Sequence, residues 1–91
     1  MTGRRVEPDP TYSYYPLPPL APGDYGKGAN GKWYCQPPWP KFDGEAAPGD
    51  LSGHKVTEHE DGTITVEPSI LIQNQNGAWH GYLRRGVWTE C

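Results

Sequence analysis

The sequence predicts a small, mainly β protein: an antiparallel sheet of two hairpins, or a small barrel, preceded by an extended arm rich in proline and aromatic residues. Three observations carry this reading. Ten of the 11 prolines lie in residues 1–50, and only Pro68 lies beyond them. Residues 51–91 hold alternating apolar and polar segments separated by Gly-containing turns, the pattern of hairpins. No stretch shows the apolar periodicity of an amphipathic helix. The change of character near residue 50 divides the chain into an arm, 1–50, and a β-domain, 51–91.

The arm is extended because proline fixes φ, lacks an amide donor and pushes the residue before it out of the helical region. Polyproline-like chain with turns is the expectation. Such a composition suits disorder, but the aromatic content opposes it. Tyr12, Tyr14, Tyr15, Tyr25, Trp33, Tyr34, Trp39 and Phe42 are eight of the 11 rings in the chain. Rings in that number need a surface, either their own β-domain or another chain. Pro16-Leu17-Pro18-Pro19-Leu20 and Pro37-Pro38-Trp39-Pro40 have the character of segments that dock in aromatic-lined grooves. Prolines and rings have little conformational entropy to lose on docking. The Gly-rich stretch 23–32 lacks a Gly-Lys-Ser/Thr motif and reads as a turn.

In the β-domain, residues 55–67 alternate around Asp61-Gly62, a hairpin signal. A three-residue loop, Glu60-Asp61-Gly62, sets Val56 opposite Val66 and Thr57 opposite Thr65, like against like. It places Gly62 at positive φ and His59 opposite Thr63. Pro68 is expected at a strand start or edge, where its missing donor is harmless. Ser69-Ile70-Leu71-Ile72 then forms a short apolar strand, followed by a polar loop over 73–77. The same loop logic at Arg84-Arg85-Gly86 sets Leu83 opposite Val87 and Tyr82 opposite Trp88, an aromatic cross-strand pair. Rings fall on both alternating faces, so one face is expected to pack on the arm or on a partner.

Composition narrows the function. Ninety-one residues allow one small domain. No apolar run approaches the ~20 residues of a membrane span, and no signal peptide is visible. A net charge of −3, with Arg4-Arg5 and Arg84-Arg85 as the only basic pairs, opposes nucleic-acid binding, which needs a basic patch. A reducing compartment favours free thiols at Cys35 and Cys91, although a bridge would help so small a core. Cys35, His54, His59, His80 and Cys91 are weak metal candidates, because none of the close pairs typical of zinc sites is present. Ser13, Ser52 and Ser69 lack a nucleophile-elbow context, and the surroundings of Cys35 read as a packing segment. The chain is therefore expected to be no enzyme and to use no cofactor.

The segments Asp61-Gly62-Thr63-Ile64-Thr65-Val66, Pro68-Ser69-Ile70-Leu71-Ile72 and Trp79-His80-Gly81-Tyr82-Leu83-Arg84-Arg85-Gly86-Val87-Trp88 carry a resemblance. Over residues 54–91 the chain resembles short uncharacterised proteins of actinobacterial tailed phages. More loosely it is similar to a phage-borne domain of unknown function. That looser group tends to carry extra cysteines and a Cys-His pair near its end, which this chain lacks. The resemblance implies a phage origin and supplies no activity. The leading expectation is a virion structural protein of minor capsid or decoration type. It would reside in the virion, and in the host cytoplasm before assembly. It would bind other capsid subunits in an oligomeric assembly, with Tyr12, Tyr14, Tyr15, Trp33, Tyr34, Trp39, Tyr82 and Trp88 as contacts. An alternative is a small phage protein that binds a host protein or a defence-signalling ligand. A third is a metal-dependent enzyme or nucleic-acid module built on the Cys and His candidates.

Overall fold

The computed structural model describes residues 1–9, 17–18, 20–38, 49–74 and 77–91. The molecule is mainly β, with no helix among these residues. Its strands form two four-stranded sheets that do not close into a barrel, so the barrel alternative is discarded. The first sheet runs β1 (Arg4–Arg5), β2 (Asp24–Lys27), β3 (Trp33–Cys35), β4 (Gly49–Asp50), in that spatial order. The second runs β5 (Lys55–Glu58), β6 (Ile64–Asn74), β7 (Gly77–Arg84), β8 (Val87–Glu90).

The second sheet is the expected pair of hairpins. Val56 faces Val66 and Thr57 faces Thr65. Gly62 has φ 88, and the His59 amide donates to the Thr63 carbonyl. Asp61 fixes the turn, its carboxylate accepting from the Thr63 amide at 3.0 Å and hydroxyl at 2.6 Å. Those two donors hold the Asp61 carboxyl below its ordinary range.

Three expectations are corrected. The strand expected over 69–72 is part of β6, and Gln73, Asn74 and Gly77 of the expected 73–77 loop are paired strand. Leu83 faces Trp88, Arg84 faces Val87, and Tyr82 faces Thr89 rather than Trp88. The connection is a two-residue turn, Arg85-Gly86, with φ 46 and 76, the primed geometry that matches strand twist. Arg85 is held there because its amide donates to the Thr65 hydroxyl. Pro68 lies inside β6, not at its start or edge. Val66 faces Leu83 and Ile70 faces Gly81, so residues 67–69 share one opposite residue, Tyr82. Such a bulge leaves residues unpaired, and β5 has already ended beside Glu67, so the missing proline donor breaks no ladder bond.

Among the described residues of 1–50, short extended segments pair with one another. β2 and β3 are antiparallel, with Tyr25 opposite Cys35 and Lys27 opposite Trp33. β1 lies parallel to β2. Between the two sheets, Tyr25 and Cys35 from the first share one buried cluster with Ile64, Val66, Ile70, Trp79, Leu83 and Trp88 from the second. Leu51, on the connection from β4 to β5, completes it. Residues 1–3 tie the layers together at a margin: Thr2 bridges Val87, and Gly3 donates to the Gly86 carbonyl. Leu17 and Leu20, from the first Pro-rich segment, are buried, and Leu17 lies over Gly26.

Candidate protein-binding surface

Two open clefts flank the 50–54 turn and share Leu51 and His54. One, of about 310 Å³, is lined by Lys32, Trp33, Ser52 and Val56 besides the shared pair. The other, of about 260 Å³, lies against Ile70, Leu71, Ile72 and Gln73. The turn is built by Asp50, whose carboxylate accepts from the Ser52 amide at 2.8 Å and from its hydroxyl. These donors, the hydroxyl first, hold the Asp50 carboxyl below its ordinary range. The His54 amide then donates to the Leu51 carbonyl.

The imidazole of His54 closes the turn onto β6. Its Nε2 lies 3.0 Å from the Ser69 carbonyl oxygen, which can only accept, so Nε2 carries the hydrogen. Nδ1 is buried without a hydrogen-bond partner among the described residues. Leu71 lies along the second cleft and is 55% exposed, on the face of β6 opposite to Ile72, which packs on the core.

Four of the eight ring contacts expected from the sequence can be placed. Trp33 is half-buried in the first cleft, and the Arg5 guanidinium carbon sits 5.3 Å from its ring centroid. Arg5 is fixed in turn by Glu7 at 2.8 Å, Glu58 at 2.6 Å and the Gly62 carbonyl at 2.9 Å. Tyr34 is half-buried, its hydroxyl accepting from the Asn30 amide. Tyr82 is half-buried under Arg84, 4.2 Å from its centroid. Trp88 faces inward, 3% exposed, with its indole N–H donating to the Gly23 carbonyl at 2.9 Å. It meets Trp79 edge-on, centroids 5.3 Å apart. Tyr12, Tyr14, Tyr15 and Trp39 lie outside the described residues.

Of the candidate metal ligands, His54 and His80 share a neighbour, Ser69, whose carbonyl and hydroxyl they meet. Cys35 is fully buried in the core, and burial pushes its thiol up to about 12. Cys91 is exposed, and both thiols are free. His59 shares a hydrogen with the Thr65 hydroxyl at 2.7 Å, and His80 with the Ser69 hydroxyl at 2.9 Å. Among the described residues no three His, Cys, Asp or Glu side chains converge. What sequence reasoning missed is that Leu51 and His54 meet Trp33 in one cleft and β6 in the other. These residues are brought together only by the contact between sheets, and no local signal announces it.

Comparison with protein families, curated proteins and solved structures finds no match.

Proposed function

We propose that this chain is a protein-binding component of a phage virion, of the capsid-decoration type, which docks as a folded unit on neighbouring subunits. The observation that supports the binding mode is the pair of clefts that share Leu51 and His54: the half-buried Trp33 stands beside Val56 in one, and the exposed Leu71 lies on the other. Aromatic and aliphatic anchors around a desolvatable depression are what the centre of a protein interface requires. Trp33 is pre-positioned by Arg5, so little side-chain entropy is lost when a partner covers it. The virion setting rests on the resemblance of residues 54–91 to phage proteins. Binding would be non-catalytic and without cofactor.

The test is quantitative mass spectrometry of purified particles of the encoding phage. The chain is expected at a copy number in simple ratio to the major capsid protein. Its absence from particles, with abundant chain in the infected cell, would overturn the virion role in favour of a host-directed binder.

A further inference from the structure

The N-terminal strap, residues 1–6, is attached to the molecule in an unusual way. It runs between the margins of the two sheets and pairs with both. The Met1 amino group donates to the Trp88 carbonyl, and the Trp88 amide donates to the Met1 carbonyl at 2.8 Å. Gly3 donates to Gly86 at 2.7 Å on the same margin. On the other side Arg4 donates to the Gly23 carbonyl and Val6 to the Tyr25 carbonyl. Two ion pairs complete the attachment, Arg4 to the buried Asp24 at 2.8 Å and Arg5 to Glu58 at 2.6 Å. No residue of the strap belongs to the buried cluster, and Met1 is 63% exposed.

An element held by backbone bonds and peripheral ion pairs, without core side chains, opens at a lower free energy than the sheets it covers. Opening uncovers the outer margin of β8 and the margin of β2 together. Unpaired strand margins accept another chain. The segment that fits best has no side chain at its third residue, since a Cβ on Gly3 would stand 2.7 Å from the Gly23 oxygen and 2.8 Å from Trp88 Nε1. It also carries two successive cations, to meet Asp24 and Glu58. A second copy of this chain supplies that segment.

We propose that the strap is exchanged between copies, residues 1–6 of one chain occupying the β8–β2 margin of another. Every hydrogen bond and ion pair of the strap is kept, and only the identity of the donating chain changes, which makes exchange a low-cost route to association. Pro8 biases the connection behind the strap towards extended conformations, suited to reaching a neighbour. The exchange is independent of the virion role.

Thr2 and Val87 provide the test. Backbone bonds link Met1 with Trp88 and Gly3 with Gly86, so Thr2 and Val87 form the close, non-hydrogen-bonded pair between them. That spacing accepts a disulfide. Thr2→Cys and Val87→Cys are made as separate chains, each in a Cys91→Ser background to remove the exposed native thiol. They are mixed from micromolar to millimolar concentration, oxidised and resolved without reductant. Exchange gives a Thr2→Cys/Val87→Cys heterodimer several-fold above either homodimer, rising with concentration. A heterodimer no more abundant than the homodimers, while the double variant closes its bridge within one chain, overturns the proposal. Native mass spectrometry of the unaltered chain covers the case in which the variants fail to fold. Mixed ¹⁴N/¹⁵N dimers that vanish on removal of residues 1–3 support exchange. A monomer throughout the same concentration range overturns it.

Discussion

Trp88 joins the two sheets with a single side chain. Its ring packs edge-on to Trp79 in the core, and its N–H satisfies the Gly23 carbonyl of the first half. Replacement by alanine leaves both a cavity and a lost hydrogen bond. Trp88→Ala is expected to destabilise by about 3–5 kcal/mol, a large share of the stability of so small a domain. Urea denaturation followed by circular dichroism measures it. The sequence marks Trp88 as a ring on an alternating strand, but the expected loop paired it with Tyr82 on one face, whereas the actual register puts the two on opposite faces. Cys35 makes a second prediction. Its folded thiol titrates at about 12 against an ordinary 9.0, because burial disfavours the thiolate. Below pH 9.0 both folded and unfolded chains keep the proton, and the stability of the core is present in full. Between 9.0 and 12 the unfolded chain releases a proton that the folded chain retains, so stability falls as pH rises. Tyr25 is pushed up by the same burial and acts in the same direction. At pH 8 iodoacetamide should label Cys91 rapidly and Cys35 only on unfolding. Rapid labelling of both thiols in the folded chain would contradict a buried Cys35.

At the scale of elements, the two hairpin turns of the second sheet contrast. The Asp61-Gly62 turn and its register were legible because the pattern has one solution that pairs valine with valine and threonine with threonine. The Arg85-Gly86 turn was misread as a three-residue loop. Arginine at positive φ is uncommon, so the sequence offers no sign that Arg85 takes a left-handed conformation. Its anchor is the Thr65 hydroxyl on β6, 20 residues away in the chain. Asparagine tolerates that conformation better, and the anchoring bond uses only the backbone amide of residue 85. Arg85→Asn is therefore expected to stabilise by about 0.5–1 kcal/mol in thermal or chemical denaturation. A loss of stability would show that the Arg85 side chain contributes more than its backbone strain costs. The strands of the first sheet were not legible at all. β1, β3 and β4 are two or three residues long, and β2 is an Asp-Tyr-Gly-Lys run with no alternation. Their partners are set by the shared core and by Asp24, whose buried carboxylate receives Arg4 and the Ala21 amide. A glycine- and proline-rich sequence shows extended chain but not its pairing.

For the whole molecule, the central claim is that both halves build one core. Tyr25 and Cys35 are as deeply buried as Ile64 and Leu83, and Leu51 lies in the cluster they share. The candidate surface depends on this closure, since Trp33 comes from the first sheet and Leu71 from the second. The composition of residues 1–50 predicted extended chain in need of a surface, and the described parts of it lie largely on the chain's own second sheet. A surface in another molecule remains the proposal for the rings that point outward. Amide hydrogen exchange on the purified, isolated chain tests the claim directly, because protection reports how much structure must open before an amide exchanges. The amides of Gln36 and Leu51, which donate to the Asp24 and Trp33 carbonyls within the first sheet, are predicted to be protected to the same order as those of Val66 and Leu83, and all four to be lost together as denaturant is added. Free exchange at Gln36 and Leu51 with β6 and β7 still protected would contradict a common core.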